Sequence, residues 1–223
     1  KRADVRRFVD ALVAAGRGAT TVRRIIAVVQ GALTAAMRDD IIAANPARGV
    51  RLPTVDAHEF EPWTPVQVGA FLDRAAQRRL GALFEVAVMT GLRRAELVGL
   101  RWGDLDLARR ELTVRSTRVQ ASGEVVENSP KTSAGRRVVQ LDDAAVGALV
   151  AWQITQDGER SDWDAAWLGS GYVFTYENGE PLRPQYVTRL FDSLRRDVAL
   201  PAMTLHGLRH MHASLLLASG ADI

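Results

Sequence analysis

The sequence predicts an α+β protein, mostly α-helix with a small antiparallel β-sheet. Three observations predict it. Apolar residues recur at helical period through most of the 223 residues. One central stretch, residues 111–141, carries strand-like runs of branched residues separated by turn signals instead. Between the first helices and the remainder, residues 49–65 hold three prolines and few periodic apolar positions, a linker composition.

The first helix is read from Val5, Phe8, Val9, Leu12 and Val13, which fall at i, i+3, i+4, i+7 and i+8 on one stripe. Gly16-Arg17-Gly18 ends it. Thr20 or Thr21 is expected to cap a second helix with Val22, Ile25, Ile26, Val29, Leu33 and Met37 inward. Asn45-Pro46 stops that helix, and 53–62 reads as a linker. Two helices bury too little surface to stand alone, so the first unit is expected to have lost an earlier part.

The second unit opens on a strong start signal. Thr64 is the expected N-cap, Pro65 sits at the first helical position, and Gln67 completes a capping box. Val68, Phe71 and Leu72 point inward. An apolar helix follows over Leu80–Met89, ended by Gly91, and another is expected over Arg94–Arg101. Then come strands at Glu111–Arg118, around Val125-Val126, and at Arg137–Leu141. Turns at Ser122-Gly123 and Lys131–Gly135 make these a three-stranded antiparallel meander. Asp142 caps a helix with Val146, Leu149 and Val150. Tyr172-Val173-Phe174 is a short extended piece. Pro184 opens a helix with Val187, Leu190, Phe191 and Leu194 inward. A last helix begins near His206 and breaks at Ser219-Gly220.

Composition narrows the function classes. The chain has no cysteine, which excludes disulfides, cysteine-ligated zinc and thiol nucleophiles. It opens on Lys1 with no charged-then-apolar leader, and no apolar run reaches membrane-spanning length. A soluble cytoplasmic protein is expected, with its N-terminus cut. The formal charge is +3 and the basic residues are spread along the whole chain. That distribution suits broad contact with a polyanion, and equally an ordinary arginine-rich soluble protein.

No carboxylate cluster suited to two metals is evident, nor any glycine-rich phosphate loop. His206 and His210 stand at i, i+4, but no glutamate follows the first histidine and no third ligand is evident, so no metal is assigned. What stands out is cationic. Thr90-Gly91-Leu92-Arg93-Arg94-Ala95-Glu96-Leu97 puts an arginine at the break between two helices. Leu205-His206-Gly207-Leu208-Arg209-His210 puts histidine and arginine at i, i+3 on one helical face. Lys131 lies in a hairpin turn. Two guanidiniums can hold the nonbridging oxygens of a phosphate and offset charge on a five-coordinate phosphorus. A lysine can protonate a leaving alkoxide, and a histidine can manage the nucleophile's proton. Singly, each residue has an ordinary role open to it. Arg93 can pair with Glu96, His206 can cap its helix, and Lys131 can be a solvated turn residue. Arg23 and Arg24, near a helix start with Thr20 and Thr21, can meet phosphates or simply be solvated charge.

These strings resemble the tyrosine recombinases, the phage integrase family. Thr90–Leu97 is similar to the family's T-G-x-R-x-x-E-L box, continuing into Leu100-Arg101-Trp102-Gly103-Asp104. His206–His210 is similar to its H-x-L-R-H box. Pro130–Arg137 is similar to its hairpin-lysine segment, and Pro181-Leu182-Arg183-Pro184 also resembles the family. So do Thr20–Arg24 and Ala44-Asn45-Pro46, so the resemblance runs the length of the chain in the right order.

The resemblance implies a helical core-binding domain over 1–52, a linker over 53–62 and a mixed α/β catalytic domain over 63–223. It implies site-specific DNA integration and excision through a 3′-phosphotyrosine link, with no metal or other cofactor. The implied catalytic residues are Arg93, Lys131, His206 and Arg209. Glu96 and His210 are supporting residues, and Thr20, Thr21, Arg23 and Arg24 are DNA contacts. The implied partners are double-stranded DNA, a homotetramer on recombining DNA, and possible accessory DNA-bending or directionality proteins, with no membrane. The chain departs from the pattern after the second box. Only thirteen residues follow His210, and Tyr172, Tyr176 and Tyr186 all precede that box. None matches the nucleophile, so a fragment cut before its tyrosine is expected, one that binds DNA without cleaving it. A type IB topoisomerase, an inactive DNA-binding regulator of the same fold and, more remotely, a metal-dependent nuclease remain open at this point.

Overall fold

The computed structural model describes residues 1–55, 61–121, 123–128 and 136–218. The chain divides into two compact units, Lys1–Glu59 and Phe60–Ile223.

The first unit contains α1 (Arg2–Ala14) and α2 (Ala19–Arg38). Val9, Val22, Ile26 and Val50 form its core, with Val5, Leu12 and Leu52 packed against them. Phe8, Val13 and Met37, expected inward, are exposed. A single partner helix covers a narrower strip than the apolar stripes of α1 and α2 present. The expected threonine cap is also corrected: Gly18 holds the N-cap position, and Thr20 and Thr21 lie inside the first turn of α2. After α2 the chain is fastened by Asn45. Its amide donates to the Gln30 carbonyl at 3.0 Å and to Thr34 Oγ1 at 2.9 Å, and its Oδ1 accepts from the Ala47 amide.

The second unit is built around α4 (Gly81–Thr90), which is apolar on nearly every face and packs against several helices. These are α3 (Pro65–Ala76), α6 (Asp143–Trp163) and α8 (Leu205–Ala218). A helix apolar all round belongs in the middle of a core. The capping box at the head of α3 forms as the sequence predicts, with Thr64 and Gln67 bonding each other's backbone amides. Asp142 caps α6 by accepting from the Ala145 amide at 2.8 Å. On α6 the inward face holds Ala145, Leu149 and Trp152, whereas Val150 is exposed.

Phe71 of α3, Phe84 of α4 and Phe191 of α7 (Pro184–Asp197) meet at the core centre, with Trp63 stacked on Phe191 at 5.9 Å. Phe191 is fully buried among these rings. Phe191→Ala is expected to lower stability by about 3–5 kcal/mol, the usual cost of an aromatic-sized cavity. A urea denaturation midpoint close to that of the parent protein would show that the site collapses around the gap.

Two further expectations are corrected. The helix after Arg93 is only α5 (Arg94–Leu97). Gly99 lies against neighbouring backbone, where an added Cβ would come within 3.1 Å of the Ser116 carbonyl and Thr117 Cα, so strand backbone occupies the space a longer helix would need. The predicted meander is instead two sheets. β1 (Leu105–Asp106), β2 (Glu111–Val114) and β5 (Arg137–Gln140) form one antiparallel sheet in the order β1-β2-β5. β3 (Thr117–Ala121) and β4 (Glu124–Asn128) form a separate antiparallel ribbon. The run 111–118 breaks at Arg115-Ser116. There the Ser116 hydroxyl donates to the Gly99 carbonyl at 2.7 Å, and Arg115 pairs with Asp104. β2 continues the core with Leu112 and Val114 inward, and its register sets Val114 opposite Arg137. The expected helix break at Ser219-Gly220 lies outside the described residues.

Candidate active site

The site forms where α4 ends. Gly91 caps α4 in the left-handed region, at φ 60°, which glycine adopts without steric cost. It is also crowded: a Cβ there would lie 2.6 Å from His212 Cδ2 of α8. Two α8 side chains bond to this end of α4. Arg209 Nη1 donates to the Gly91 carbonyl at 2.7 Å, and His212 Nδ1 lies 3.0 Å from the Val88 carbonyl. The first and second boxes are thereby joined across the fold.

Past Gly91 the chain turns at Leu92 and starts α5 with Arg93 as its N-cap residue. Glu96, three positions on, is 4% exposed. Its carboxylate accepts from the Arg93 amide at 2.7 Å and from Arg93 Nη1 at 2.9 Å. It also accepts from Arg137 Nη1 at 3.0 Å and Nη2 at 2.9 Å, a two-pronged pair. Burial pushes the Glu96 carboxyl up, but the bonds from Arg137 and from the Arg93 amide outweigh it and hold the group below the usual carboxylate range.

Arg209 is drawn into the same field. Partial burial lowers its pKa, as do the charges of Arg93 and Arg137, while Glu96 opposes them. A guanidinium keeps its proton under such a shift, so among the described residues the cluster holds three fixed positive charges around one negative charge. His206 is exposed at the head of α8. Desolvation, then His210, Arg209 and Arg93, push its imidazole below the ordinary value, which favours the neutral form. The rings of His206 and His210 meet edge-to-face at 4.8 Å. Among the described residues no group of three or more histidine, aspartate or glutamate side chains is placed to hold a metal ion, and no helix is long and apolar enough to cross a membrane.

Of the residues the sequence singles out, Arg93 and Glu96 bond each other, Arg209 and His206 lie within electrostatic reach of them, and His210 meets His206. Lys131 lies outside the described residues. Thr20, Thr21, Arg23 and Arg24 belong to the first unit, all exposed, with Arg23 Nε donating to the Pro53 carbonyl at 2.9 Å. Arg94 is engaged elsewhere, donating to Thr188 Oγ1 of α7 at 2.7 Å. Sequence reasoning missed Arg137 and His212. Arg137 sits in a strand that reads only as a buried alternation, and its partner lies 41 positions away. His212 could be noticed as a third histidine near the second box, but not as the side chain that crowds Gly91.

The family model described as "Phage integrase family" matches residues 64–223. The chain belongs to the phage integrase family. Among its curated relatives, this chain is 25% identical over 213 residues to the ICEBs1 integrase of Bacillus subtilis, covering 95% of this chain and 58% of that one. It is 24% identical over 241 residues to a XerC-like tyrosine recombinase of Caldanaerobacter subterraneus, covering 100% of this chain and 62% of the relative. It therefore spans about six-tenths of the length of these relatives. Among solved structures, the Tn1549 transposon integrase in complex with a circular intermediate DNA superposes with a TM-score of 0.86 at 22% identity, covering 100% of this chain and 74% of that one. A lambda integrase dimer bound to a COC′ core site gives a TM-score of 0.69 at 19% identity, covering 100% of this chain and 72% of that one. Those likenesses show the fold, mostly helical with small antiparallel sheets.

Proposed function

We propose that this chain is the core-binding and catalytic part of a site-specific DNA recombinase, and that Arg93 and Arg209 clamp the phosphate at which strands are exchanged. The observation that carries this reading is the convergence of the two box arginines at the end of α4, around a buried, ionised Glu96. Three guanidiniums against one carboxylate leave a local surplus of positive charge, which favours the extra negative charge of a five-coordinate phosphorus.

In the reaction, a tyrosine hydroxyl attacks a backbone phosphorus, the P–O5′ bond breaks, and a 3′-phosphotyrosine and a free 5′-hydroxyl result. Lys131 gives its proton to the leaving 5′-oxygen. Neutral His206 takes or holds the proton of the nucleophile. The 5′-hydroxyl of a partner strand then attacks the phosphotyrosine, which restores the phosphodiester and frees the tyrosine. One ester bond replaces another at each step, so no external energy source enters. None of the tyrosines of this chain is assigned the attack: the Tyr172 hydroxyl donates to Glu127 at 2.7 Å, and Tyr176 and Tyr186 pack on each other.

Residues 1–52 and 63–223 are read as the two DNA-binding domains, with Thr20, Thr21, Arg23 and Arg24 on the DNA side of the first. Exchange proceeds in a homotetramer, a form in which lambda integrase has been solved bound to a Holliday junction. Accessory DNA-bending or directionality proteins would set the direction, and a DNA substrate puts the protein with the nucleoid. The test is binding of the purified 223-residue chain to duplex DNA across a salt series, with denaturing gels for covalent adducts. The logarithm of affinity is expected to fall linearly and steeply with that of salt, as counterion release requires, with no adduct. A flat salt response removes the DNA clamp, and an adduct places a nucleophile within the chain.

A further inference from the structure

Glu96 poses a problem that Arg93 alone does not solve. A carboxylate 4% exposed needs a full set of partners to stay ionised. Arg93, its sequence neighbour, has a side chain 53% exposed, so that pair is wetted by solvent on one side. The remaining donors come from Arg137 at the start of β5, whose side chain is 27% exposed and which meets both carboxylate oxygens. Each Glu96 oxygen is thus shared: Oε1 between Arg93 Nη1 and Arg137 Nη1, Oε2 between the Arg93 amide and Arg137 Nη2. Arg137 fixes the carboxylate, and the carboxylate fixes Arg93.

We propose that Arg137 is a positioning residue of the phosphate site, which acts through Glu96 to keep that carboxylate ionised and the Arg93 guanidinium aimed at the phosphate. The proposal rests on the recombinase reading given above. Among the described residues, the charged groups facing Glu96 are Arg93 at the head of α5, Arg137 on β5 and Arg209 on α8, all cationic. The hydrogen bond from Arg137 is the largest influence holding the Glu96 carboxyl down against burial. Without Arg137, burial has less to oppose it and the carboxyl rises. A protonated Glu96 gives up acceptor capacity and releases Arg93. The rate is therefore expected to fall on the acid side, at a higher pH than in the parent protein.

The experiment is single-turnover cleavage of nicked attachment-site DNA by the whole recombinase that carries this chain, across pH 5–8. Arg137→Met is expected to slow cleavage about 100-fold, the size expected when a reacting group is displaced by about 1 Å. DNA affinity should change little, and the loss should deepen as pH falls. Adding Glu96→Gln to Arg137→Met should remove that added pH dependence, because the group that titrates is gone. Arg137→Lys keeps the charge but not the two-pronged bond, and should fall between the parent and the methionine variant. It also covers the case in which the methionine variant does not fold. A parent-like rate and pH profile in Arg137→Met overturns the proposal. So does a loss uniform across pH, tracking a lower melting temperature and unaffected by Glu96→Gln. Arg93→Ala, run alongside, separates the two readings. Normal cleavage by that variant defeats the recombinase site itself. An inactive Arg93→Ala beside a normal Arg137→Met defeats only the role of Arg137.

Discussion

On the reading proposed above, Arg209→Ala in the protein that carries this chain is expected to cut the rate of DNA cleavage by about 10^2–10^3-fold or more while changing DNA affinity by less than about tenfold. The rate figure is the usual loss when one fixed donor is removed from developing negative charge. The affinity figure follows from the number of phosphate contacts a DNA clamp makes, of which this is one. Arg209 also ties α8 to α4 through the Gly91 carbonyl at 2.7 Å, so the variant should lose a little stability as well. Arg209→Lys tells charge from geometry. A lysine presents a point charge without the planar fork, so it should bind DNA normally and still cleave poorly. Cleavage and covalent adduct are read on gels under single-turnover conditions. A parent-like rate in Arg209→Ala would remove the second box from the chemistry.

The parts of the fold and of this site visible in the sequence are those made of neighbours. The capping box of Thr64 and Gln67, the Arg93–Glu96 pair and the His206–Arg209 spacing all span three residues, where helical geometry alone fixes who meets whom. Gly91 was readable as a helix end for the same reason. Its other constraint, the closeness of His212, comes from a helix more than a hundred residues later and leaves no local mark.

Strand pairing was lost on similar grounds. A four-residue run such as Glu111–Val114 alternates in the same way whether its partner is the next strand or a later one. Pairing β2 with β5 rather than β3 follows from the break at Ser116, where a hydroxyl bond to Gly99 turns the chain. That pairing is also what carries Arg137 to Glu96. The error in topology and the missed positioning residue are therefore one error. Lys131, legible only through the family resemblance, sits between β4 and β5 in the sequence, and those strands belong to different sheets.

Glu96 should prove the most sensitive polar position of this site for stability. Glu96→Ala leaves Arg93 and Arg137 without their counter-charge, and removes four hydrogen bonds at a position only 4% exposed. Removing one partner from a buried ion pair generally costs about 3–5 kcal/mol, because the other charge stays desolvated and unpaired. Exposure of Arg93 lets that guanidinium turn to water, so the cost here should sit near the lower end, with Arg137 responsible for most of it. Glu96→Gln keeps the shape and part of the bonding and should cost less. The pH dependence has a definite sign. The folded carboxyl is held below its ordinary value, so its contribution is fully present above the normal glutamate range and is lost as pH falls through the folded pKa. In urea titrations of the parent chain, stability should therefore fall as pH drops below about 4.5. That slope should be shallower in Glu96→Gln, which has nothing there to protonate. Equal slopes in the two proteins would mean that Glu96 is not held ionised by its arginines, and both the clamp and its support through Arg137 would lose their electrostatic basis.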